Sequence, residues 1–295
     1  MAQESLRALL AGLVDYAGLF PPSQLSMAES VRNYAAYLRG DESWILGRFV
    51  VPVARLDEFT AAAAEYIGSE GVAPWRLTVL APADYAEALP AIATFNERHR
   101  GARIDCVEWK AASTDEILRV GGLIPPGLTT FVEIPHAGDP LPWVKSISEA
   151  GAHAKFRTGG LTPEVVPPVQ QVLAFLEACD RFNVSFKATA GLHHPIRAVH
   201  SLTYQPDSPV CQTHGFLNVF MGAAFLRTGV PSPEIADLLA EESVASFSFN
   251  RGGVTWRGHW MSSQRIRTTR ERFAIAFGSC SFEEPLADLR EAGLL

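Results

Sequence analysis

The stretch HAKFRTGGLTPEVVPPVQQVLAFLEACDRFNVSFKATAGL, residues 153–192, decides the fold. It opens on a short apolar run, His153–Arg157, that carries Lys155. A Gly-Gly turn follows, and then a segment with apolar residues at helical spacing, Val165–Arg181. A second run, Val184–Thr189, carries Lys187 just before another glycine. Strand, helix and strand in that order make parallel neighbours joined by a crossover. The two lysines are one such unit apart, so their strands are expected to be neighbours.

The same rhythm extends in both directions. Going back along the chain, Thr130–Ile134 precedes a helix over Pro142–Ala150, and Arg103–Trp109 precedes Thr114–Val120. Leu77–Leu80 precedes Tyr85–Arg98, and Ile45–Val53 precedes Leu56–Ile67. At the start, Leu9–Tyr16 reads as a first strand or a helix running into one, and Met27–Leu38 as a helix capped by Ser26. At the end come a strand over Phe273–Phe277 and a helix over Leu286–Glu291. About eight strand–helix units in 295 residues predict a single (β/α)8-barrel domain. An open doubly wound sheet would show the same periodicity, but neither G-x-G-x-x-G nor G-x-x-x-x-G-K-[ST] is present to favour one.

One segment breaks the rhythm. Residues 192–272 form a long insertion between the seventh and eighth strands. It contains a loop (Ser201–Pro209), helices over His214–Arg227 and Pro233–Glu241, and a hairpin over Phe247–Trp260 turning at Asn250-Arg251-Gly252-Gly253. Insertions of this length sit at the catalytic face or extend an interface.

Composition narrows the class. Hydrophobic residues at 47% and charged residues at 19% supply a large core. A net charge of -7 without a basic block argues against a nucleic-acid partner. The basic run Arg265–Arg272 reads as a solvated helix face. Phe216–Leu226, the longest apolar stretch, is too short for a membrane span and is broken by Asn218 and Gly222. Four scattered cysteines and a start without a basic-then-apolar leader predict a reduced, cytoplasmic protein.

Polar residues at the C-terminal ends of barrel strands are the candidates for chemistry. Reading the strand ends in order gives Asp15, Arg48, Asp105 with Glu108 and Lys110, Glu133 with His136, Lys155 with Arg157, Lys187 with His193 and His194, and Ser279 with Cys280. Buried charge is costly unless paired, so these residues either surround a polar ligand or form a structural ion-pair network. Lys155 and Lys187 are the sharpest feature. Two adjacent ammonium groups lower one another's pKa, and a neutral amine attacks carbonyls. The alternative use is as point charges on a substrate anion.

The two lysine motifs resemble those of class I aldolases of the deoxyribose-phosphate aldolase type, over roughly Arg103 to Leu289. The resemblance implies a (β/α)8 barrel in which Lys155 forms a Schiff base and Lys187 lowers its pKa. It implies that Asp105, in RIDCVEW, relays protons and that Glu133, in FVEIPH, lies near the site. It implies that Ala276–Ser281, with Ser279, binds phosphate as an anion nest. The chain departs from the family pattern at Phe156 and Arg157 after the first lysine, and at Leu192-His193-His194-Pro195 after the second turn. Glu283 and Glu284 follow the nest closely.

The histidines admit two roles. His193 or His194 could move protons, or both could join Glu133 and His136 in a metal site. Adjacent histidines point different ways, so only one is expected to face a given ligand. His214 and Asn218, one turn apart, could look into the site or simply cap and pack. Phe20-Pro21-Pro22 reads as a packed turn. The expectation is a cofactor-independent lyase acting on a small anionic carbonyl compound, with Arg48, Arg157 and Ser279 holding anionic groups. A metal-dependent hydrolase or lyase and a non-catalytic anion-binding barrel stand as alternatives. The apolar helix and the tryptophans of the insertion leave a homodimer open.

Overall fold

The computed structural model describes residues 3–67 and 73–295. Its first part runs α1 (Glu4–Leu10), β1 (Val14–Tyr16), α2 (Met27–Tyr37), β2 (Leu46–Pro52), α3 (Leu56–Ala63), β3 (Trp75–Leu80) and α4 (Ala88–Arg98). It continues through β4 (Ala102–Lys110), α5 (Thr114–Gly121), β5 (Thr129–Glu133), α6 (Leu141–Glu149), β6 (His153–Arg157), α7 (Val169–Arg181) and β7 (Phe186–Thr189). The insertion holds β8 (Ala198–Ser201), β9 (Val210–Thr213), α8 (Phe216–Leu226), α9 (Ser232–Leu239), β10 (Phe247–Phe249), β11 (Gly253–Trp256), β12 (His259–Ser262) and α10 (Ser263–Arg272). The chain ends with β13 (Ala274–Ser279) and α11 (Glu283–Glu291).

Eight parallel strands close in the order β1-β13-β7-β6-β5-β4-β3-β2, the expected (β/α)8 barrel. The expected helix starts hold where a cap fixes them. Ser26 Oγ accepts from the Glu29 amide and Glu29 Oε2 from the Ser26 amide, a reciprocal cap that opens α2. Helix α7 begins at Val169 rather than Val165, because Pro167 and Pro168 withhold amide donors and exclude the helical conformation from the residue before each. Its Val172, Phe175, Leu176 and Cys179 are buried at the predicted spacing, with Phe175 stacked on Phe156 of β6 at 4.5 Å.

The insertion covers one side of the barrel. Helix α8 is buried from Phe216 through Phe225 and packs against α7, α9, α10 and β13, so it is the cover of the β7–β13 crossover. Its apolar character is therefore used inside the chain. The His214 and Asn218 side chains face this packing and not the pocket. The His214 ring bonds the Pro167 carbonyl at 2.7 Å, and Asn218 Nδ2 donates to the Leu238 and Glu241 carbonyls. The predicted hairpin gains a third strand, β10-β11-β12, and the predicted loop is flanked by the β8–β9 hairpin.

The basic helix α10 is not wholly solvated. Arg270 is buried and forms no salt bridge among the described residues. Its guanidinium donates to the Leu9 carbonyl at 2.6 Å, to the Ala11 carbonyl at 3.2 Å, and to the carbonyls of Ala274 and Ile275. Burial pulls its pKa down to about 9. The side chain thus ties the segment entering β1 to the start of β13, the pair that closes the barrel. We predict that Arg270→Met strands these carbonyls and lowers unfolding free energy by about 2–4 kcal/mol in urea titrations.

Candidate functional site

The pairing register fixes which charges meet. Glu133 of β5 is level with Lys155 of β6, and Lys155 is level with Lys187 of β7. Register partners in parallel strands project to the same face, so all three point into the barrel. Asp15 of β1 and Glu108 of β4 complete a chain of alternating sign. Lys187 Nζ donates to Asp15 Oδ2 at 2.5 Å and also contacts Glu108 Oε1. Lys155 Nζ lies 2.5 Å from Glu108 Oε2 and 2.9 Å from Glu133 Oε2. Arg157 Nη1 ends the chain 3.9 Å from Glu133 Oε1. Asp15 also accepts from the Arg48 amide at 2.6 Å and lies against Gly47, where a Cβ would sit 2.1 Å from Oδ1. Only glycine leaves room for that carboxylate.

This arrangement reverses the expected effect of one lysine on the other. Glu108 stands between them. Burial disfavours charge on all three groups, but pairing outweighs it. Glu108 is brought down to about 2, and both lysine pKa values are raised. Lysine–lysine repulsion therefore does not supply a neutral amine here.

Above this chain is a pocket of about 540 Å³ at the C-terminal ends of the strands. Glu108, Glu133, Lys155 and Arg157 are on its wall, whereas Asp15 and Lys187 lie behind it. The turns after β6 and β7 form part of its rim and cross closely. Thr158 Oγ1 donates to the Ala190 carbonyl at 2.5 Å, and a Cβ on Gly159 would lie 2.9 Å from the Gly191 Cα. Gly191 has φ +77, so a side chain there is strained by conformation as well as crowded by Gly159.

His193 and His194 both line the pocket, although adjacent residues were expected to diverge. The reason lies on α11, where Glu284 and Asp288 are one turn apart on one face. Glu284 Oε2 holds His193 Nδ1 at 2.7 Å, and Asp288 Oδ2 holds His194 Nδ1 at 2.5 Å. His194 also stacks on His200 at 3.4 Å between ring centroids. Burial works against a charged His193, yet its bonds to Cys280 and Glu284 lift it to about 9. Phe20, Pro21 and Pro22 belong to the pocket wall rather than to core packing alone.

Several expected site residues are elsewhere. The β3–β4 register slips so that Leu77 pairs with Ile104 and Thr78 with Cys106, which leaves Asp105 unmatched. Asp105 pairs with Arg48 at 2.6 Å and Arg76 at 2.7 Å, and these arginines outweigh its burial and lower its pKa. Arg48 and Arg76 line a second cavity with Arg7, His153, Ser185 and Arg270, at the N-terminal ends of the strands. In a parallel barrel that is the opposite pole, so Asp105 and Arg48 do not reach the mouth. Lys110 is exposed beyond Glu108 and off the pocket wall. Ser279 is buried between Gly278 and Cys280, which do line the pocket. The expected anion nest is filled by the chain's own groups: Ser279 Oγ accepts from the Ser281 amide at 3.3 Å, and Ser281 Oγ from the Glu284 amide at 3.1 Å.

Tyr204 and Asp288 were not among the expected site residues, and Glu284 was expected only as a charge beside the nest and not as a partner of His193. Only Glu284 and Asp288 carried a signal, the four-residue spacing that matches two adjacent histidines. The metal alternative is not assembled. His136 is off the pocket wall, Glu133 is held by Lys155, and among the described residues no group of three or more His, Cys, Asp or Glu could hold a metal ion. No helix among them is long and apolar enough to cross a membrane.

No protein-family model matches the chain, and no curated protein does. Among solved structures it is similar to the spore cortex-lytic enzyme SleL of Bacillus cereus, at a TM-score of 0.37 and 9% identity over 96% of this chain and 74% of that one. A likeness that distant bears on no function.

Removing Glu108 should leave two buried ammonium groups facing each other. We predict that Glu108→Gln costs about 3–5 kcal/mol of unfolding free energy. The carboxyl's folded pKa lies below its ordinary 4.5, so its contribution is complete above that value and is lost as pH falls toward about 2. Urea titrations across that range should show a steeper acid decline for the parent than for the variant.

Proposed function

We propose that the pocket is the active site of an aldolase-like lyase acting on a small, anionic carbonyl compound through Lys155. The observation that carries this reading is the placement of Lys155. It is the lysine on the pocket wall, and its Nζ lies 2.9 Å from Glu133 Oε2, a carboxylate on the same wall that can relay its proton. Lys187, behind the wall, serves to keep Glu108 ionised and in place.

The chemistry follows from these contacts. Lys155 arrives as an ammonium and loses one proton to solvent by way of Glu133, because Glu108 is too acidic to hold it. The free amine adds to the substrate carbonyl, forming a C–N bond as the π pair moves to oxygen. Glu133 relays the second nitrogen proton to that oxygen, solvent supplies another, and the oxygen leaves as water, giving a protonated imine. As the carbon–carbon bond breaks, its electron pair moves into the imine to give an enamine, and the departing carbon becomes a second carbonyl as its hydroxyl gives a proton to solvent. Protonation of the enamine carbon and hydrolysis then free Lys155. Arg157, at the pocket mouth, and the charged His193 ring favour an anionic substrate.

Because both carboxylates hold Lys155 protonated, imine formation should be slow at neutral pH and rise as pH increases. Incubation with small keto acids and aldehydes plus sodium borohydride, read by intact mass, should give one adduct at Lys155 and none in Lys155→Met. Absence of an adduct across the panel at alkaline pH contradicts the lysine mechanism. An adduct at Lys187 would reverse the two roles.

A further inference from the structure

We propose that Cys280 is a second nucleophile of this pocket, with His193 as its proton partner and Glu284 as the carboxylate that orients His193, and that it adds to an electrophilic carbonyl carbon. Cys280 Sγ lies 3.9 Å from His193 Nε2, while the other ring nitrogen is 2.7 Å from Glu284 Oε2. A nucleophile, a base within reach of it and a third group fixing the base are the parts that activate a weak thiol. Tyr204 braces the arrangement, with its hydroxyl 2.8 Å from Glu284 Oε2 and 3.9 Å from Cys280 Sγ. Cys280, His193, Tyr204 and Glu284 all line the cavity that Lys155 lines.

The groups set against Cys280 are His193 after β7, Tyr204 between β8 and β9, Ser23 after β1, and Tyr16 within β1. Glu284 on α11 acts on it through His193 and Tyr204. Burial opposes a thiolate there, but the His193 contact outweighs it and brings the thiol below its ordinary value. Burial acts unopposed on Cys179 and prevails at Cys106, raising the latter to about 11. A thiolate–imidazolium pair aimed into a pocket is the form in which cysteine reacts.

In the step itself, the Cys280 thiolate forms a C–S bond to the carbonyl carbon. The C=O π pair moves to oxygen, which takes the proton on His193 Nε2. The product is a thiohemiacetal, reversible by the same path, and no oxidant or reductant is consumed. The carbonyl class rests on the function proposed above, whereas the activated thiol does not.

Timed alkylation with iodoacetamide, read by peptide mass spectrometry, tests the proposal. At roughly neutral pH, Cys280 should react about tenfold faster than Cys211, the half-buried cysteine of the β8–β9 hairpin. His193→Gln should abolish that advantage and move the inflection of the rate to more alkaline pH. The Lys155→Met variant should alkylate at Cys280 as the parent does, so loss of lysine chemistry and loss of thiol activation are separable. In that variant, glyoxylate should slow alkylation of Cys280. Equal rates at Cys280 and Cys211, or a His193→Gln profile matching the parent, overturn the activated thiol. A Cys280 rate unaffected by saturating glyoxylate overturns the carbonyl assignment.

Discussion

Everything at the centre of this barrel depends on Glu108. Its two oxygens divide between Lys187 and Lys155, and without it two buried ammonium groups would confront each other across one pair of strands. Asp15 and Glu133 then complete the neutralisation on either side. The result is a row of five side chains, from five strands, in which each charge has an opposite neighbour. Such a row can be buried because every member is paired. It also fixes the lysine amines far more tightly than apolar packing could.

The row has a structural side and a chemical side. Asp15 and Lys187 are sealed behind the wall and hold the register of the strands near the barrel seam. Glu108, Lys155 and Glu133 face the cavity. The histidines form a second layer above, each ring held by one carboxylate of α11. At the other pole Asp105 is bound by Arg48 and Arg76, and Arg270 holds four backbone carbonyls. The two ends of the barrel thus use similar residues for different ends: carbonyl and ion-pair closure below, an open polar cavity above.

The barrel was legible in the sequence because alternation of strand and helix is a local signal, and the unit from His153 to Thr189 states it plainly. The inward set Asp15, Glu108, Glu133, Lys155 and Lys187 was legible too, since each sits on a strand where charge has no place unless paired. What the sequence did not disclose was pairing order. Nothing local says that Glu108 lies between two lysines distant in sequence, so the expected mutual pKa lowering came out reversed. The bulge at Asp105 is equally invisible. It depends on how β3 and β4 align, whereas the pole at which Asp105 lies follows from its place near the start of β4, three residues before Glu108. The histidine partners lie on a helix some ninety residues further on, and their spacing becomes meaningful only once α11 is beside the β7 turn.

The claim that carries most of this account is that both lysines are ammonium ions at rest, held so by Glu108. Nitrogen-15 NMR of lysine Nζ, followed across a pH titration in the free protein, tests it directly. Two slowly exchanging ammonium signals, from Lys155 and Lys187, are expected to persist beyond the ordinary lysine range, about pH 10.4. A signal from either residue that titrates to the neutral amine near roughly pH 7 would contradict it, and would restore mutual repulsion between the lysines as the dominant effect.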